Sequence, residues 1–285
     1  MTELRKNHDG FKNALVYFVL SVLGILWVLP ILYLLYSAFR EQPTTGIINS
    51  LFPENLRFGI GNFQRLFAQT PFLQWFLNTL VISICSCILT SLFIIMVSYA
   101  MSRLRFKLRK PIMNVLLVLG MFPGFMSMIA VYFILKAMGL TNSRLALILV
   151  YSGGAALSYY ICKGFFDTIP KGMEEAAVLD GASQAVIFLK VVLPLAKPII
   201  IYTVITSFIA PWCDFIFANT IISERDKYTV ALGLYKMINA EKSSFNDNFT
   251  VFCAGASVVG GLIVVLFMSM QRYYVEGITS GAVKG

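Results

Sequence analysis

Six stretches of this chain are each long and apolar enough to cross a bilayer, near residues 14–38, 75–100, 112–135, 145–166, 199–222 and 250–270. A spanning helix needs about 20 largely apolar residues. That pattern predicts an all-α integral membrane protein of six transmembrane helices, a single domain over residues 1–285. Only 13% of the residues are charged, against about 25% in a soluble domain, and the mean hydropathy is +0.77. The first run follows Arg5, Lys6 and Lys12, as the apolar core of a signal peptide would. It is too long for one, and no small-x-small cleavage site follows, so it reads as a retained first helix.

Lys and Arg set the orientation. The connection after the second run is short and basic, with Arg103, Arg105, Lys107, Arg109 and Lys110. The connection over 167–198 carries Lys171, Lys190 and Lys197, and the opposite side has fewer cations on longer loops. Positive charge collects on the cytoplasmic face, which predicts cytoplasmic termini, a cytoplasmic 167–198 loop and an outer 223–249 loop. The net charge of +9 therefore reflects inner loops and not a nucleic-acid partner. The five cysteines all fall in apolar segments without metal-site or disulfide spacing, and the single histidine, His8, lies in the N-terminal tail. They read as small apolar residues.

Residues 167–198 are too polar to span and too rich in Ala, Glu and Leu to lack structure. Pro170 suits a helix start. Glu174 and Glu175 follow in the first turn, where carboxylates meet the positive end of the helix dipole. Ala176, Ala177 and Leu179 propagate the helix, and Gly181 bends it and permits close backbone approach. A second segment runs from Ser183 through Phe188 to Leu193, and Pro194 and Pro198 end it. The expectation is two short helices joined by a glycine elbow. On these grounds alone an interfacial amphipathic linker and a protein-docking element stand equally.

The run Glu175-Ala176-Ala177-Val178-Leu179-Asp180-Gly181-Ala182, with Phe188 and Leu193-Pro194 downstream, resembles the EAA loop of ABC importer permeases. The resemblance covers nearly the whole chain. It includes Phe76-Leu77-Asn78-Thr79-Leu80, the turn Gly139-Leu140-Thr141-Asn142-Ser143, the segment Tyr228–Leu234, and a C-terminal end similar to that of the second permease subunit of maltose-type carbohydrate importers. It implies that Glu174, Glu175, Ala176, Ala177, Asp180, Gly181, Ala182, Phe188 and Pro194 couple the chain to an ATPase. It further implies that the tail Ser280, Gly281, Ala282, Val283, Lys284 and Gly285 enters the ATPase interface. Tyr228, Leu232, Lys236 and Asn239 would meet an extracytoplasmic binding protein. Asn78, Trp212 and Asp214 would line the substrate path.

The implied function is import of a sugar, a di- or oligosaccharide, by ATP-driven alternating access. A polyol or glycerol phosphate is the alternative. The implied partners are a homologous second permease, two copies of a cytoplasmic ATPase, a solute-binding protein and the lipid of a prokaryotic inner or plasma membrane. The chain has no phosphate-binding G-x-x-x-x-G-K-[ST] loop, so no cofactor is assigned to it, and ATP with Mg²⁺ belongs to the ATPase. An intramembrane enzyme would need a convergent acid–base pair, and Asp214 is the lone acid well inside a run. Cys213 replaces the amide the family often carries between Trp212 and Asp214. That leaves two readings of Asp214, a lining of the path or a structural role such as capping a helix break after Pro211. Gly120, Pro123 and Gly124 suggest close helix packing or a kink.

Overall fold

The computed structural model describes residues 2–41, 56–121, 124–153, 156–240 and 244–282, with side chains described except at 2–11, 125, 244–247 and 272–282. Their regular structure is helical, apart from one isolated antiparallel bridge between Arg40 and Phe58. In lipid a helix satisfies every backbone group within its own segment. Three helical stretches are long and apolar enough to span alone: Lys12–Phe39, Phe72–Arg103 and Asn248–Gln271. Up to six spans result if each of three broken helix pairs counts as one.

The helices are α1 (Thr2–Phe39), α2 (Gly61–Gln69), α3 (Phe72–Arg103), α4 (Arg109–Met121), α5 (Gly124–Ala137), α6 (Arg144–Gly153) and α7 (Ala156–Thr168). There follow α8 (Gly172–Leu179), α9 (Gln184–Leu195), α10 (Lys197–Cys213), α11 (Ile216–Ile221), α12 (Val230–Asn239) and α13 (Ser244–Ala282). The chain divides into two compact units, residues 1–70 with 236–260, and residues 71–235 with 261–285.

In the first unit the end of α1 is fastened by Asn62. Its amide donates to the carbonyls of Ala38 and Arg40 at 3.0 and 2.6 Å, and its oxygen accepts from the Thr250 hydroxyl at 2.9 Å. These carbonyls have no partner inside the helix, so a side chain supplies one. Residues 12–32 of α1 are exposed, Trp27 at 81%.

The second unit is built on α3, which packs against α6, α7 and α10. One face of α3 buries a residue or two at every turn: Thr79, Ile82, Ser83, Ser86, Cys87, Thr90, Ser91, Ile94, Ile95, Ser98, Met101 and Ser102. The spacing is that of a helix. Small hydroxyl residues let helices approach closely and bond across the contact. Ser98 donates to the Tyr159 carbonyl at 3.0 Å, and Thr90 to that of Tyr151 at 3.4 Å.

Two expectations are corrected here. The run 199–222 is not one helix: α10 ends at Cys213 and α11 begins at Ile216. Pro194 sits one residue before the end of its helix at Leu195, and a 79° bend leads into α10. Residues Ile187–Val192 widen into a π-turn, with the Leu193 N–H on the Phe188 carbonyl, and the helix continues to Leu195. The wider turn relieves the clash a proline ring makes with the carbonyl four residues back. The 223–249 segment contains a helix, α12, whose Val230, Leu232, Gly233 and Leu234 are buried. At Gly120 a Cβ would lie 3.4 Å from the Leu157 N and 3.5 Å from the Ala156 Cβ, so that glycine serves packing of α4 on α7. Pro123 lies outside the described residues.

Candidate functional site

The C-terminal end of α3 carries the 167–198 loop. Ser102 donates to Asp167 at 2.6 Å, and Lys163 pairs with the other oxygen of that carboxylate at 2.5 Å. Arg103 donates to the Ile169 carbonyl at 2.9 Å and pairs with Glu174. Beneath the loop lies a cluster of Ile94, Ile95, Cys162, Phe166, Ile169, Ile187, Val192, Ala196 and Ile199. Phe188 sits on Tyr99 with ring centroids 4.6 Å apart, and Tyr99 meets Phe166 edge-on. The loop is thus tied to α3, α7 and α10 at once.

The elbow has a definite geometry. The Gly181 N–H reaches the Val178 carbonyl and the Ala182 N–H the Ala177 carbonyl, both at 3.0 Å. This is the Schellman ending of a helix, which puts its glycine in the left-handed region, and Gly181 has φ +81°. The Ser183 hydroxyl then accepts from the Val186 N–H to start α9. A Cβ on Gly181 would meet nothing within 4 Å. Glycine is required here by the backbone, and the space beside it is open in this chain.

The predicted coupling residues divide by direction. Ala177, Ala182 and Phe188 pack against the cluster, and Glu174 turns inward to Arg103. Glu175, Ala176, Asp180, Gly181 and Pro194 are exposed. Sequence reasoning missed the apolar side of the exposed surface. Leu179, taken only as a helix former, is 89% exposed, and Met173 and Val178 are exposed beside it. Three apolar residues, Met173, Val178 and Leu179, beside the carboxylates of one short helix were the available signal.

At the N-terminal end of α3, about 48 Å away for 32 residues at about 1.5 Å each, a second network pins residues 222–230. The Asn78 amide donates to the carbonyls of Asp226 and Tyr228 at 2.8 and 3.0 Å, and its oxygen accepts from Arg144. The Trp75 indole donates to the Arg225 carbonyl, and the Thr79 hydroxyl accepts from the Val230 N–H. Asn142, at φ 59°, receives the N–H groups of Ser223 and Glu224 at 3.1 Å each. A hydrogen bond from Lys227 holds the exposed Glu224 carboxyl below its ordinary range. Asn78, expected on a substrate path, is buried and fully engaged in this latch.

Asp214 occupies the break between α10 and α11. One oxygen accepts from the Ile216 and Phe217 N–H groups at 3.0 and 3.2 Å, and the other from the Tyr151 hydroxyl at 2.6 Å. Of its two readings the capping role is the one with partners. Trp212 is buried between Phe76 and Phe208, and its indole N–H meets no acceptor among the described residues. Of the residues expected to face a binding protein, Lys236 and Asn239 are exposed, Tyr228 is half-buried, and Leu232 is fully buried. The side chains of Ser280, Gly281 and Ala282, and all of Val283, Lys284 and Gly285, lie outside the described residues.

The family described as binding-protein-dependent transport system inner membrane component matches residues 94–279. The chain is 34% identical over 243 residues to the galactooligosaccharides transport system permease protein GanQ of Bacillus subtilis, covering 84% of each. It is 33% identical over 232 residues to the maltodextrin permease MalD of Streptococcus pneumoniae, covering 81% of this chain and 82% of the relative. It is also 33% identical to the maltose/maltodextrin permease MalG of Escherichia coli over 221 residues, covering 75% and 73%. A solved bacterial ABC transporter involved in import of the acidic polysaccharide alginate superposes with a TM-score of 0.78 at 20% identity, covering 93% and 97%. That likeness is one of fold.

Proposed function

The chain belongs to the binding-protein-dependent transport system inner membrane components, and on that premise we propose that it is one permease subunit of an ABC importer for oligosaccharides. It is a multi-pass protein of the prokaryotic plasma membrane and not an enzyme. The relatives' names, galactooligosaccharide, maltodextrin and maltose permeases, support the sugar class. We assign six spans in a single domain, both termini and the 167–198 loop to the cytoplasm, and the 223–249 loop to the outside, following the lysine and arginine bias. A second permease, two ATPase copies holding ATP and Mg²⁺, and an extracytoplasmic binding protein complete the assembly. The tail from Ser280 to Gly285 enters the ATPase interface. Lys236 and Asn239 offer the exposed contact for the binding protein.

The observation that carries this reading is the form of α8. The helix buries none of its own residues, ends in a left-handed glycine, and projects Leu179 into open space. Its opposite side is fixed by Glu174 on Arg103 and by Ala177 in the cluster. A rigidly held helix with a bare apolar tip suits a cleft on another protein. Displacement of that helix by closing ATPase subunits passes through Phe188, Tyr99 and Arg103 into α3, and through Ala196 into α10. Alternating access follows from the tilt of those spans.

The test is assembly. The tagged chain, extracted in mild detergent, should bring down its ATPase. Leu179→Glu should abolish that association while membrane insertion persists. Full retention of the ATPase by this variant would overturn the assignment of α8 as the docking helix.

A further inference from the structure

Next to the docking loop lies a cleft of about 640 Å³ whose walls include Arg105, Lys107, Arg109, Lys110 and Lys163. These cations come from the α3–α4 connection, the start of α4, and α7. Asp167 offsets one of them through its pair with Lys163, and four remain around the opening. Basic loops orient membrane proteins wherever the side chains point. Convergence on a single cleft is a further feature, which topology alone does not require. Along the sequence Leu104, Phe106 and Leu108 alternate with these cations, at 47%, 40% and 63% exposure, and Phe106 lines the cleft. Met113 and Tyr160 also line it, and the Tyr160 hydroxyl donates to the Met113 carbonyl at 2.6 Å.

We propose that this cleft binds the phosphate headgroup of an anionic phospholipid of the cytoplasmic leaflet. The inference rests on the reading of residues 101–110 as a membrane-facing cytoplasmic connection. Basic pockets at the inner ends of spans take anionic headgroups. Alternating basic and exposed apolar residues match a surface that is charged at headgroup depth and oily below it. A soluble phosphate would need the cations but gains nothing from Leu104, Phe106 and Leu108. The site is also connected to coupling. Arg103, two residues before Arg105, holds Glu174 of α8, so an occupied cleft stiffens the connection from which the docking helix is held.

The experiment uses the intact complex, equilibrated in mixed micelles with phosphatidylglycerol or phosphatidylcholine and weighed by native mass spectrometry. A photoactivatable phosphatidylglycerol is cross-linked in parallel and mapped by peptide. The expected result is at least tenfold preferential retention of phosphatidylglycerol, with cross-links concentrated at 104–114 and 160–163. Each cation near an anionic surface contributes about fivefold. Arg105→Gln with Lys107→Gln and Lys110→Gln should therefore lower retention on the order of a hundredfold. Equal retention of both lipids, or cross-links spread evenly over the spans, overturns the proposal. Displacement of the cross-link by millimolar inorganic phosphate assigns the cleft to a soluble anion and overturns the lipid source. A carboxyl–amine cross-link from Lys107 or Lys110 to the ATPase assigns it to protein contact and does the same. Should the triple variant fail to insert, the wild-type map decides alone. Headgroup preference is read on the chain itself, so failure of the transport assay leaves it standing, and its loss leaves the permease assignment standing.

Discussion

Arg103, the last residue of α3, holds Glu174 of α8 at 2.5 Å, with the two side chains 6% and 15% exposed. The arginine also donates to the Ile169 carbonyl, so one side chain fixes both the start of the loop and its helix. Removing one member of a largely buried ion pair leaves the other charge without a partner, at a cost of about 1–3 kcal/mol. We expect Glu174→Gln to lower transport about tenfold, which corresponds to about 1.4 kcal/mol of lost coupling, with ATP hydrolysis less affected. Exchanging the two residues (Arg103→Glu with Glu174→Arg) should recover part of the loss. Equal transport by the single variants and the wild type in proteoliposomes would mean that the pair carries no coupling.

Gly181 separates two explanations of a glycine. Its φ of +81° strains any L side chain, by about 1–2 kcal/mol, and asparagine tolerates this region best. No atom of this chain lies within 4 Å of an added Cβ. Gly181→Asn should therefore fold and insert, judged by expression and detergent melting, yet lose ATPase association because its side chain fills the space a partner needs. Retained association in Gly181→Asn, together with instability in Gly181→Leu, would reduce the glycine to a backbone requirement.

Much of this was legible in the sequence, because spans and elbow follow from local chemistry. Apolar runs, a glycine after Asp180 and carboxylates after Pro170 each act within a few residues. The helix breaks were harder. Asp214 ends one helix and caps the next, and its second oxygen is held by Tyr151, 63 residues away. The hidden purpose of Asn78 was equally nonlocal, since its partners lie 148 and 150 positions on. The inward turn of Glu174 depends on Arg103 in another element. The hydroxyl stripe of α3 was readable from its spacing alone, yet the overall apolar character of the run concealed it.

Gly233 faces the ring of Trp75 so closely that a Cβ would collide with it. That ring carries the indole N–H which holds the Arg225 carbonyl. Gly233→Ala should therefore push Trp75 off its acceptor and loosen the whole 222–230 latch, at about 1–3 kcal/mol. Limited proteolysis within 223–228 should become faster, and the melting temperature in detergent should fall. An unchanged cleavage rate would show that the ring can move without releasing the turn.

Asp214 allows the charge itself to be tested. Asparagine keeps an acceptor for the Ile216 and Phe217 N–H groups, and its amide can donate to the Tyr151 oxygen, so the cap survives without the charge. Alanine loses both contacts, at about 0.5–2 kcal/mol for a helix cap and more for the stranded hydroxyl. If Asp214 is structural, Asp214→Asn transports sugar like the wild type while Asp214→Ala melts earlier. Tyr151→Phe should then behave as a mild stability variant with normal transport. If Asp214 lines the path, Asp214→Asn should impair uptake without any change in melting. Uptake of labelled oligosaccharides, measured beside detergent melting curves for the three variants, separates these outcomes. The two N–H groups and the tyrosine hydroxyl already occupying the carboxylate favour normal uptake by Asp214→Asn.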